Sequence, residues 1–271
     1  MLREEITEEE AAELRACGAA MADAARAAIL PHFRTPMLAD NKAGPGGFDP
    51  VTVADRAAEE AMRGVLAERR PQDAVLGEEF GHQAGESGLT WVLDPIDGTR
   101  AFISGTASWG VLIALNDARG PFYGIIDQPY MAERFQGGLG AAQLTAPRGE
   151  TLLKVREGRS LAEATVFTTF PEVGTEAEAA AFRRVASKAR LTRYGLDCYA
   201  YALLALGQID LVIEAGLQSY DIAAPIAVIE AAGGVVTDWE GGPVHEGGRA
   251  LAAATPELHR TAMALLAEQA A

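Results

Sequence analysis

The densest run of chemically capable residues is Trp91-Val92-Leu93-Asp94-Pro95-Ile96-Asp97-Gly98-Thr99, where an apolar strand runs into two carboxylates and a hydroxyl. Pro95 fixes one φ and Gly98 permits a tight turn, so Asp94 and Asp97 can converge on one side of a bend with the Ile96 carbonyl between them. Such an all-oxygen set suits Mg²⁺. Taken alone, the run leaves a second reading open, in which Asp97 and Thr99 cap a turn. Upstream, Val75-Leu76-Gly77-Glu78-Glu79 repeats the design, an apolar strand ending in glycine and two acids. Downstream, Tyr220-Asp221-Ile222-Ala223-Ala224 sets an acid just before an apolar helix. In isolation the first is equally a solvated surface pair and the second an N-cap.

Those acids need elements to hold them. Thr7 and Glu10 form a capping-box pair, and Leu14, Met21, Ala25 and Ile29 recur at helical spacing until Pro31. A polar, Gly- and Pro-bearing loop from Thr35 to Pro50 leads to Thr52 and Asp55, a second capping-box pair ahead of a helix ending near Arg70. Apolar runs at Ala74–Gly77, Leu89–Asp94, Trp109–Asn116, Phe122–Asp127 and Glu133–Gly137 read as a largely antiparallel sheet. Beyond Pro147 the rhythm changes. Strands at Ala164–Thr169, Leu191–Tyr194, Ile209–Glu214 and Val235–Asp238 alternate with helices near Ala177–Lys188, Cys198–Leu206 and Ile222–Ala232, and Pro256 starts a last helix. The expectation is an α+β half over residues 1–147 carrying most of the acids, packed on an α/β half over 148–271 that carries Asp197, Glu214 and Asp221.

The 271 residues carry 23 Lys and Arg against 38 Asp and Glu, a net charge of −15, which argues against a nucleic-acid partner because phosphate neutralisation needs a basic surface. No strongly apolar window reaches membrane-spanning length, and MLREEITEEE is acidic where a signal peptide is basic and then apolar. We therefore expect a soluble, cytoplasmic protein with no membrane partner. Cys17 and Cys198 read as buried thiols. His32, His82, His245 and His259 lack metal-ligand spacing and read as surface or loop residues, Gly137-Gly138-x-Gly140 lacks dinucleotide-binding spacing, and Asp238 reads as a turn residue.

In this order and spacing, Asp49-Pro50-Val51-Thr52-x-x-Asp55, Gly77-Glu78-Glu79, Asp94-Pro95-Ile96-Asp97-Gly98-Thr99 and Asp221-x-Ala223-Ala224, followed by Ala232-Gly233-Gly234, resemble the inositol monophosphatase family of lithium-sensitive, Mg²⁺-dependent phosphatases. The resemblance implies a layered α-β-α-β-α sandwich of the sugar-phosphatase type and a homodimer. It assigns metal roles to Glu78, Asp94, the Ile96 carbonyl, Asp97 and Asp221, holding two or three Mg²⁺ ions. It also implies that Glu78 and Thr99 orient the attacking water, that Asp55 accepts a hydrogen bond from Thr99, and that the N–H groups of Gly98 and Thr99 take the phosphate. Positive ions at these acids would admit a phosphate dianion to a protein whose overall charge repels it.

Two departures mark a branch. Inositol-type members follow the D-P-I-D-G-T block with Thr-Asn-Phe and carry Trp-Asp later, whereas this chain has Arg100-Ala101-Phe102 and Tyr220-Asp221. With Trp109-Gly110, Ile126-Asp127-Gln128-Pro129-Tyr130 and Asp197-Cys198-Tyr199-Ala200-Tyr201, these resemble the bacterial histidinol-phosphatase branch. The implied substrate is L-histidinol phosphate, a small phosphomonoester bearing an ammonium and an imidazole, with substrate contacts from Gly98, Thr99, Arg100, Asp197 and Glu214 and Tyr199 as a stacking surface. Asp197 reads alternatively as the cap of the helix at Cys198, with Tyr199 and Tyr201 in the core. Inositol 1-phosphate is the alternative substrate, and a regulatory protein that binds metal or sugar phosphate is the non-enzymatic alternative. A haloacid-dehalogenase phosphatase is excluded because its two aspartates stand two residues apart, while Asp94 and Asp97 stand three apart.

Overall fold

The computed structural model describes residues 3, 6–35, 40–41 and 50–268. Asp49 and nearly all of the Thr35–Pro50 loop fall outside the described residues. In chain order the elements are α1 (Glu8–Ile29), β1 (Asp40–Asn41), β2 (Pro50–Val51), α2 (Val53–Arg69), β3 (Ala74–Gly77), β4 (Gly81–Gln83), β5 (Thr90–Asp97) and α3 (Thr99–Ile103). Strands β6 (Gly110–Asp117), β7 (Gly120–Gln128), β8 (Glu133–Gly138), β9 (Ala141–Ala146) and β10 (Gly149–Leu152) follow as a meander. The remainder comprises β11 (Thr165–Thr168), α4 (Glu176–Ala186), β12 (Leu191–Tyr194), α5 (Cys198–Ala205), β13 (Leu211–Gln218), α6 (Ser219–Ala231), β14 (Val235–Thr237), β15 (Gly247–Ala253) and α7 (Pro256–Ala267).

The larger sheet has the order β10-β9-β8-β7-β6-β5-β3-β4 and is antiparallel except where β3 runs parallel to β5. The smaller, β12-β11-β13-β15-β14, is parallel across β12, β11 and β13 and antiparallel beyond. Alternation along the strands sorts the layers. Trp91 and Leu93 pack with Leu14, Met21 and Met62 of α1 and α2, while Val92 faces the opposite way toward α5 and α6. Val212, Ala250 and Ala252 of the smaller sheet meet that same central layer. Leu211, Ile213 and Leu251 turn outward to Phe182 of α4 and Leu265 of α7. The result is helices, sheet, helices, sheet, helices, the α-β-α-β-α sandwich expected.

Helix α6 is buried from Ile222 to Ile229 because both of its sides face a sheet, which explains why it is apolar without a polar stripe. The expected boundary at 147/148 falls in the hairpin turn between β9 and β10, so β10 stays with the larger sheet. No helix among the described residues is long and apolar enough to cross a membrane.

Candidate active site

Strand β5 carries the first two acids, and its register explains how they come together. Residues three apart on a regular strand point to opposite faces. Here Asp94 pairs with Leu112 and Asp97 with Gly110, three steps along β5 against two along β6, and this bulge restores parity so that both carboxylates leave the same face. Pro95, which has no N–H to lose from the ladder, sits inside the bulge. The spacing alone suggests convergence in a turn; the strand instead continues through Asp97, and Gly98 follows in the left-handed region (φ 82°) as the N-cap of α3.

Glu78 follows directly on β3, and its backbone N–H donates to Leu93 O at 3.2 Å, which ties the acid to the strand bearing Asp94. The loop is fixed from below by Glu59 of α2, which is fully buried. Glu59 accepts from the N–H groups of Glu79 (2.7 Å) and Phe80 (3.2 Å) and from Arg63 Nε (2.8 Å). A Cβ on Gly77 would lie 1.9 Å from Glu59 Oε1, so glycine is required there. Sequence reasoning missed Glu59; its signal was an acid on the apolar face of α2 in line with Ala58 and Met62.

Asp221 lies in the first turn of α6, which begins earlier than expected, and its Oδ2 accepts from Gln218 N at 2.6 Å. Asp97 Oδ2 accepts from Cys198 N at 2.6 Å, so one of the strand acids caps α5 across the interface between the halves. Oxygens of Asp94, Asp97 and Asp221 lie within 4.8 Å of one another. Burial first, then Glu78, Asp97 and Asp221, pushes Asp94 well above the ordinary carboxylate range. Burial, Asp197 and Asp221 do the same to Asp97. Buried acids this crowded favour protons or a shared cation over bare charge. The donor set fits Mg²⁺: all oxygen, compact, and near the span of an octahedral shell whose opposite ligands stand about 4.2 Å apart.

These residues line a cavity of about 260 Å³ together with Glu78, Ile96, Gly98, Thr99, Arg100, Asp197 and Glu214. Asp197 is not a side-chain helix cap: it makes no capping bond to α5, and Ser108 Oγ donates to its Oδ2 at 3.3 Å. It adopts φ 48° and ψ −141°, a strained conformation for a residue with a Cβ, and presses against Gly98, where an added Cβ would come within 2.8 Å of its Cγ. Burial raises its pKa to about 6. Glu214, itself buried, ends the regular part of β13 at a second bulge, and its Oε1 accepts from Thr169 N (3.0 Å) and Oγ1 (2.6 Å). Burial, opposed by Thr169, raises its pKa to about 7.

Several expectations are corrected. Thr99 Oγ1 donates its one proton to Ile96 O at 3.1 Å, not to Asp55. Asp55 closes the capping box of α2, accepting from Thr52 N (2.8 Å) and Oγ1 (2.6 Å), and burial raises its pKa to about 6. Tyr199 is no stacking surface: its hydroxyl donates to Glu133 at 2.6 Å and its ring meets Phe135 edge-on, while Tyr201, one half-turn on, reaches the cavity. His259 is buried on α7, 2.7 Å from Thr237 Oγ1, not on the surface. Asp238 is the expected turn residue, accepting from Glu240 and Gly242, and both cysteines are buried and free.

A model of the inositol monophosphatase family matches residues 10–271. The bifunctional phosphatase IMPL2, chloroplastic, of Arabidopsis thaliana is 43% identical over 239 residues, covering 88% of this chain and 67% of that protein. A histidinol-phosphatase of Streptomyces coelicolor is 33% identical over 250 residues, covering 88% of this chain and 91% of its own. Among solved structures, an inositol monophosphatase from Zymomonas mobilis matches with a TM-score of 0.81 at 39% identity, covering 93% of this chain and 96% of that one.

Proposed function

The chain belongs to the inositol monophosphatase family of Mg²⁺-dependent phosphatases, and from that premise we propose that it hydrolyses L-histidinol phosphate to L-histidinol and phosphate. The observation carrying the substrate is Asp197, a strained, half-buried acid on the cavity wall whose side chain makes no bond to its own helix, which Asp97 caps instead. An ammonium is the ligand group that repays such a placement, through a charge-assisted hydrogen bond. The histidinol-phosphatase relative supports the same reading. Glu214 suits an ammonium, an imidazole or a sugar hydroxyl equally, and with the Zymomonas mobilis inositol monophosphatase it keeps inositol 1-phosphate as the second reading.

In this reading Glu78, Asp94, the Ile96 carbonyl, Asp97 and Asp221 hold two or three Mg²⁺ ions. Bound there, Mg²⁺ supplies positive charge toward the phosphoryl oxygens and acidifies water. The chain does the rest. Glu78 and Thr99 hold the attacking water, and Thr99 does so once its hydroxyl turns from Ile96 O. The N–H groups of Gly98 and Thr99 face the phosphate across the start of α3. Water adds to phosphorus as the ester P–O bond breaks, and the alcohol oxygen leaves with a proton. Asp55 acts at one remove, by fixing the start of α2 beneath the acids, and its charge still reaches Asp94. Phosphate and histidinol released from histidinol phosphate in Mg²⁺, and neither in excess chelator, is the expected result. Full turnover in chelator would overturn the reading.

A further inference from the structure

Tyr201 stands one helical turn beyond Asp197 on α5, so both side chains leave the helix on the side facing the cavity. Its ring is 2% exposed, and its hydroxyl oxygen is enclosed without a hydrogen-bond partner. Such an orphan is costly, and phenylalanine would fill the same volume without it. An ordinary phenol, with a pKa of about 10, keeps its proton at neutral pH, and burial raises that of Tyr201 further. At neutral pH it is therefore a donor. What it lacks is an acceptor, and none of the described side chains supplies one.

An acceptor that the described side chains do not supply can come with a ligand, into a cavity walled by carboxylates. A neutral oxygen could satisfy the proton but would answer poorly to the cations that the acids would hold there. An anionic phosphoryl oxygen satisfies both. We propose that Tyr201 is a substrate-binding residue whose hydroxyl donates to a phosphoryl oxygen of the bound phosphomonoester. The proposal rests on the Mg²⁺-phosphatase reading and is independent of which alcohol the phosphate esterifies.

Thermal unfolding of the full chain and of Tyr201→Phe tests it, in chelator, in Mg²⁺ alone, and in Mg²⁺ with increasing inorganic phosphate. In chelator the variant should melt at the wild-type temperature or above, since no bond is lost. Its stabilisation by Mg²⁺ alone should match wild type. Its affinity for inorganic phosphate in Mg²⁺ should fall about tenfold or more, the loss of one bond to a charged acceptor. A lower melting temperature in chelator would overturn the proposal, because the hydroxyl would then be bonded within the free protein. Unchanged phosphate affinity, or loss of the Mg²⁺ effect itself, would overturn it as well. Wild-type protein that binds no phosphate in Mg²⁺ would instead bring down the phosphatase reading on which it stands.

Discussion

Glu214→Gln separates what this buried acid costs the fold from what it does in the cavity. Burial, aided by Asp197 and Asp221 against the bonds from Thr169, raises the Glu214 pKa from 4.5 to about 7. At 1.36 kcal/mol per pKa unit, ionising Glu214 costs the metal-free fold about 3 kcal/mol once the pH is well above 7. The sign follows from proton binding. Between pH 4.5 and about 7 the folded protein keeps a proton that the unfolded chain has lost, so stability falls as pH rises through that window. Glutamine keeps an oxygen for Thr169 N and Oγ1 but carries no charge. In chelator, urea unfolding followed by tryptophan fluorescence should show Glu214→Gln more stable than wild type by about 2–3 kcal/mol at pH 8 and within about 1 kcal/mol of it at pH 5. The variant should also lose activity. A variant less stable than wild type at pH 8 would refute the argument that the acid is held there against the fold's own preference.

Asp94→Asn should cost more activity than any other single substitution, since Asp94 is the most enclosed of the clustered acids; near-normal phosphate release by the folded variant would contradict the metal assignment. Asp97→Asn and Asp221→Asn should shift the Mg²⁺ dependence of the rate and regain part of it at high Mg²⁺. Asp197→Asn should lower kcat/KM for histidinol phosphate by roughly ten- to a hundredfold, the worth of a charge-assisted bond, and leave β-glycerophosphate almost unchanged; equal losses would make Asp197 structural. Gly77→Ala, which sets a Cβ 1.9 Å from Glu59 Oε1, should cost about 1–3 kcal/mol and weaken Mg²⁺ binding by calorimetry, and wild-type values for both would contradict the role given to Glu59.

The amino-acid sequence alone makes legible the chemistry of short, punctuated runs. Asp94, Ile96 and Asp97 sit within one strand end, and Glu78 follows an apolar strand and a glycine, so type and spacing exposed them. The device that aims Asp94 and Asp97 the same way was not legible, because a bulge is a property of the pairing with β6 and not of β5 alone. Strands β9 and β15 were missed for a related reason: AAQLTA and GGRALAA have weak strand propensity, and pairing within sheets overrides it. Tyr199 was placed toward the substrate although Tyr201, a core residue as the alternative reading had it, is the one that lines the cavity, because two residues along a helix is about half a turn and the uniformly apolar α5 carries no periodicity to fix its phase. Glu59, Ser108 and Thr169 act through folded contacts with loops distant in the chain.

The central claim is that this cavity hydrolyses a phosphomonoester bearing a cationic group beside the phosphate, with Asp197 receiving that group. Values of kcat/KM for histidinol phosphate and for inositol 1-phosphate, measured side by side in saturating Mg²⁺ with the wild-type protein, test it most directly. The account predicts that histidinol phosphate is preferred by at least about tenfold, the lower worth of one charge-assisted bond. Equal values, or a preference for inositol 1-phosphate, would contradict it.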